Sequence, residues 1–65
     1  MTVEEIRQRI VEIDKIEYDN ERAHSEEDEL RHAVLEAIAA GADDPIRLAR
    51  EVLKTSEIKF TRWYA

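Results

Sequence analysis

The sequence predicts an all-α protein of three helices, at about 3–20, 26–40 and 45–55, with an aromatic C-terminal tail, packed as an oligomeric helical bundle. Three observations carry this expectation. Apolar residues recur at spacings of three and four from Val3 onwards. The only glycine and the only proline, Gly41 and Pro45, stand together where one such run stops and the next begins. Finally, 65 residues with a single Trp, a single Phe and two Tyr give few large anchors for a core, so a second copy is expected to complete it.

The first helix has a start signal in Thr2 and Glu5, which form the two ends of a capping box, with Met1 and Ile6 spaced for a hydrophobic staple. Val3, Ile6, Ile10, Ile13 and Ile16 then form a stripe along one face. At the next heptad positions stand Glu17, Asn20 and His24, which could end the seam or set its register if two such helices pair as a short coiled coil. From Tyr18 to Asp28 the chain is almost wholly polar, and Ser25 followed by Asp28 repeats the capping signal in weaker form, so a turn is placed near 20–25. One continuous helix from 3 to about 40 is the alternative, because nothing in this stretch is Gly or Pro.

In the second helix Leu30, Val34 and Ile38 follow one another at intervals of four, with Ala33, Ala37 and Ala40 beside them and Leu35 flanking. Small residues at that spacing let another backbone approach, and Gly41 is the expected C-terminal cap. The third helix starts at Asp44 as cap and Pro45 as first helical residue. Ile46, Leu48, Ala49, Val52 and Leu53 fall on one side of it, and Arg47, Arg50, Glu51 and Lys54 on the other. The tail then brings Ile58, Phe60, Trp63 and Tyr64 within eleven residues. The whole is a single domain, 1–65, without internal repeat.

Charge and composition narrow the function. The net charge of −6 divides into −9 over residues 1–44 and +3 over 45–65, so the chain is a poor general binder of phosphate backbones, though its basic end could touch nucleic acid or the acidic end of another copy. Without cysteine there is neither a disulfide framework nor a thiolate zinc site. No basic stretch followed by an apolar run opens the chain and no window of 18 residues is apolar, so neither a signal peptide nor a membrane span is expected and the location is read as cytoplasmic. An enzyme is not expected: Ser25 and His24 are neighbours that diverge on a helix, and a lone glycine builds neither an oxyanion hole nor a phosphate loop. No cofactor is called for.

Four binding readings remain. Glu21-x-x-His24 and Glu29-x-x-His32 repeat the spacing by which one helix offers a carboxylate and an imidazole to a metal ion, and His24, Asp28 and His32 would share a broad face. Against a metal site, 16 acidic residues produce such spacings readily, and a solvated polar face is the simpler reading. His24 in the heptad frame could instead make a seam sensitive to pH. Residues 33–64 resemble a helix-turn-helix DNA reader, with a recognition helix from Thr55 to Tyr64, but only Lys59 and Arg62 are there to read base edges and the glycine of the turn is missing. The acidic N-terminal part could imitate DNA towards a basic partner, although Glu26-Glu27-Asp28-Glu29 equally complements a helix dipole.

The expected function is accordingly non-enzymatic protein–protein interaction, by self-association as a dimer or higher oligomer. Ile6, Ile10, Ile13, Leu30, Val34, Trp63 and Tyr64 supply the contacts, and the charge asymmetry orients the chains. Glu5-Ile6-x-x-Arg9-x-x-x-Ile13-Asp14, Glu27-Asp28-x-Leu30-Arg31-x-x-Val34-Leu35-x-Ala37-Ile38, Asp44-Pro45-x-x-Leu48-Ala49 and Arg62-Trp63-Tyr64-Ala65 together resemble small helical proteins encoded by actinobacterial phages, the mycobacteriophage type, and by their hosts. That resemblance implies a cytoplasmic phage or prophage product acting on itself or on a host protein. It assigns no catalytic or binding residue.

Overall fold

A computed structural model describes residues 1–60, and the features expected of Arg62, Trp63 and Tyr64 lie outside them. It contains three α-helices: α1 (Val3–Lys15), α2 (Asn20–Ala39) and α3 (Pro45–Leu53), the last continued by a single 3-10 turn, Lys54–Glu57. Among the described residues there is no strand. Each helix packs on the other two.

The start of α1 follows its capping box in both directions. The Glu5 amide donates to the Thr2 hydroxyl at 3.2 Å, and the Thr2 amide donates to a Glu5 carboxylate oxygen at 3.1 Å. Ile6 is fully buried, whereas Met1 is only partly covered. The helix ends at Lys15, earlier than the expected 20, and residues 16–19 form the turn that the sequence placed at 20–25. The cap of α2 is Asp19, whose carboxylate accepts from the Arg22 amide at 3.2 Å. Ser25 and Asp28 lie inside the helix, and the continuous helix from 3 to 40 does not form. Burial explains the earlier start: Ala23, Glu27, Leu30 and Val34, spaced by four, three and four, make one buried stripe, so the first turns of α2 are needed to bring Ala23 and Glu27 to the core.

The end of α2 is a Schellman motif. The Gly41 amide donates to the Ile38 carbonyl and the Ala42 amide to the Ala37 carbonyl, both at 3.0 Å, with Gly41 at φ +89°. Asp44 precedes α3 as expected, but its own φ is +59° and its side chain makes no cap hydrogen bond, accepting instead from Arg47 at 3.3 Å. Aspartate is among the few L-residues that enter this left-handed region at modest cost. Pro45 fills the first helical position.

The core consists of Ile6, Ile13, Ala23, Leu30, Val34, Leu48, Val52 and Ile58, with Val3, Ile10, Ile16, Ile38, Ala42 and Phe60 packed around it. The stripe of α1 is thus satisfied inside the chain by α2 and α3. On α3 the buried line is Leu48, Glu51, Val52 and, after the helix, Thr55, whereas Ile46 and Leu53, expected inside, are about two thirds exposed. The helix that was to run to 55 gives way at Lys54 to the 3-10 turn, after which Ile58 is extended.

Candidate interaction surface

Charged side chains lock the three helices together from the edges of the core. Glu51 of α3 is nearly buried and accepts from the Arg7 Nε of α1 at 2.9 Å and from the Lys54 Nζ at 3.1 Å on both of its oxygens. The hydrogen bond from Arg7, then that from Lys54, holds the Glu51 carboxyl below its usual value, and the same bond raises Arg7 further. Glu27, fully buried in α2, lies 3.9 Å from Arg31. Arg31 also donates through Nη2 to the Thr55 hydroxyl at 2.9 Å and to the Ser56 hydroxyl at 3.1 Å, tying α2 to the turn after α3. Arg9 reaches Glu26 at 3.4 Å between α1 and α2. These groups are engaged with one another and serve the fold.

The histidines do not converge. His24 Nε2 lies 3.5 Å from Asp28 and His32 Nε2 lies 3.3 Å from Glu36, each pair one turn apart along α2. Among the described residues, no group of three or more His, Asp or Glu side chains is placed to hold a metal ion, so Glu21, His24, Asp28, Glu29 and His32 are not assembled into a site. Of the recognition helix expected from Thr55 to Tyr64, residues 55–57 lie in the 3-10 turn, 58–60 belong to no helix, and the rest lies outside the described residues.

Met1, Val11 and Tyr18 are exposed apart from one another, whereas Leu35, Ile46 and Leu53 are exposed on the neighbouring helices α2 and α3. A groove of about 220 Å³ is lined by Arg31, Val34, Leu35 and Ile38 from α2 and by Ala49, Val52 and Leu53 from α3. Val34 and Val52 form its floor, being core residues, while Leu35 and Leu53 stand on its two sides, 65 % and 62 % exposed. Ile46, 66 % exposed, continues the α3 side by two helical turns. A larger depression of about 520 Å³, between the start of α1 and the start of α3, is lined by charges of both signs, among them Glu4, Arg7, Asp44 and Arg47.

The residues expected to make intermolecular contacts divide accordingly. Ile6, Ile13, Leu30 and Val34 are buried in the chain's own core, Ile10 packs against it, and Trp63 and Tyr64 lie outside the described residues. Association through Ile6, Ile13 or Leu30 would require the protomer to open. Leu35 and Leu53 were visible in the sequence but were not singled out. Their signal was a second stripe on each helix, Arg31–Leu35–Ile38 and Ile46–Ala49–Leu53, beside the one that faces inwards.

No protein-family model, curated protein or solved structure matches this chain. The functional argument therefore rests on the surface itself. Among the described residues, no helix is long and apolar enough to cross a membrane.

Proposed function

We propose that the protein is a non-enzymatic interaction module that binds other proteins, copies of itself included, through the apolar groove between α2 and α3. The observation that carries this is the pairing of Leu35 and Leu53 across a groove floored by Val34 and Val52. Large aliphatic side chains held apart from the core on two rigid helices lose little entropy on docking, and the water they release favours a protein partner over a small polar ligand. The groove is too shallow and too poor in polar groups to orient a small substrate. The resemblance to small helical proteins of actinobacterial phages supports a product that works in the cytoplasm by contacting itself or a host protein.

A photoreactive residue in place of Leu35 tests this reading in cells that make the protein, with the same residue in place of the exposed Gln8 as control. Adducts at position 35 and none at position 8 are expected. Equal labelling, or none at position 35, would contradict the assignment of the surface.

A further inference from the structure

The two turns between the helices are built differently. The one after α2 is fixed by its backbone, because Gly41 at φ +89° and Asp44 at φ +59° cannot continue a right-handed helix. The one after α1 has no such device. Of the described residues 16–19, none is glycine or proline and none has a positive φ. The Ile16 amide donates to the Ile13 carbonyl at 3.1 Å, the Glu17 amide to that of Asp14 at 3.3 Å and the Asp19 amide to that of Ile16 at 2.9 Å. The chain here is thus a tightened continuation of the helix. It leaves the helical region at Asp19, with φ −106° and ψ 91°.

Burial keeps one phase on both sides of this turn. Ile6, Ile13, Glu27 and Val34 are buried and stand whole heptads apart, with the half-buried Asn20 completing their row. Ile16, half-buried, and Ala23 and Leu30, fully buried, form a second row at the same interval. A hairpin does not require its arms to share a heptad frame, since the turn resets the rotation of the second helix. One uninterrupted helix does require it.

We propose that two copies of the chain exchange α1, the turn straightening so that residues 3–39 of each form one helix. The partner follows from the seat that α1 already occupies. In the exchanged pair Ile6 and Ile13 enter the core of the other copy, Arg7 donates to Glu51 of the other copy and Arg9 reaches Glu26 of the other copy, as each does within the single chain. No new complementarity is needed, so the balance between the two states is set by the hinge and by concentration. Arg9 and Glu26 are equally far in sequence from the middle of the turn. The two long helices therefore run antiparallel about a twofold axis at that point, with both ends in register. The groove described above is lined by α2 and α3, which the exchange leaves in place, so the exchange stands or falls apart from the interaction reading.

The test is mass by sedimentation equilibrium on the full 65-residue chain, unfolded in urea and refolded at low and at high concentration. A species of twice the 7.6 kDa chain mass is expected at high concentration and the single chain at low. Asn20→Pro separates the exchange from any other dimer. Asn20 is the first residue of α2, where proline is favoured, and Asp19 before it is already extended, so the hairpin accepts the substitution. Inside one continuous helix the same proline removes a hydrogen bond and clashes with the preceding turn. The variant is expected to keep the helical content of the wild type by circular dichroism and to form about a hundredfold less dimer. A second measurement identifies the exchanged arm. Arg7→Glu and Glu51→Arg each set like charges between α1 and α3; refolded together, the two chains are expected to give a dimer with one of each, in which both pairs are opposite again. A wild type that stays monomeric after refolding at high concentration would overturn the proposal. So would an Asn20→Pro chain that dimerises as the wild type does, or a mixture of the two charge variants without mixed dimer. Should Asn20→Pro lose helical content, the mixed dimer decides alone.

Discussion

Glu51 shows how a charged residue enters the edge of so small a core: it is nearly buried because Arg7 and Lys54 both donate to it. Its carboxyl titrates below the ordinary glutamate value of 4.5, so below that value the unfolded chain takes up protons more readily than the folded one. The stability contributed by Glu51 is therefore present above pH 4.5 and lost as pH falls through the lower folded value. Melting temperature should drop on acidification in that window, and the drop should be shallower in Glu51→Gln, which starts from a lower value at pH 7; parallel curves for the two proteins would refute the role given to Glu51. Gly41 makes a different point. Nothing lies within 4 Å of where a Cβ would stand, so the cost of Gly41→Ala comes from its φ of +89° alone. About 1 kcal/mol is expected by urea titration, and no change would mean that the turn readily adopts another conformation.

The elements differ in how plainly they were written. The beginning of α1, the Gly41 stop and the Pro45 start could be read directly, because each depends on neighbouring residues whose backbone chemistry has one good solution. The turn between α1 and α2 could not. Asp19 and Ser25 are both competent caps, and only the burial of Ala23 and Glu27 decides between them. Asp19→Ala should accordingly cost about 1 kcal/mol, while Ser25→Ala, now inside a helix, should be neutral or slightly stabilising; the reverse order in thermal melts would restore the later start. On α3 the sequence misplaced Ile46 and Leu53 because five apolar residues were assigned to one face, when Glu51 and Thr55 take part of that face through partners on α1 and α2. The inward-turned side chains of Glu51 and Thr55 take hydrogen bonds from residues distant in sequence, Arg7 and Arg31, and the local pattern does not contain them. Arg31 is one such supplier, and Arg31→Ala should destabilise the protein by about 2 kcal/mol in urea titration.

At the scale of the whole molecule, the sequence correctly indicated an all-helical chain in three pieces, and the α1 stripe that it offered as an intermolecular seam is closed within one protomer. The same three-helix closure leaves a second, weaker stripe on α2 and α3 without cover, and that is where the function is placed. The candidate site was the least legible part, since a residue such as Leu35 becomes a surface feature only once Leu30 and Val34 have been assigned to the core. The two faces should separate cleanly by mutation: Ile13→Ala is expected to cost about 3 kcal/mol of folding stability, whereas Leu35→Ser should leave the stability of the protomer nearly unchanged. The central claim is that α2 and α3, and not α1, form the contact surface. Amide chemical shifts followed through a dilution series of the labelled full chain test it most directly. Signals from Leu35, Ile46 and Leu53 should move together on dilution while those of Gln8 and Val11 stay fixed; movement concentrated on α1 would contradict the account.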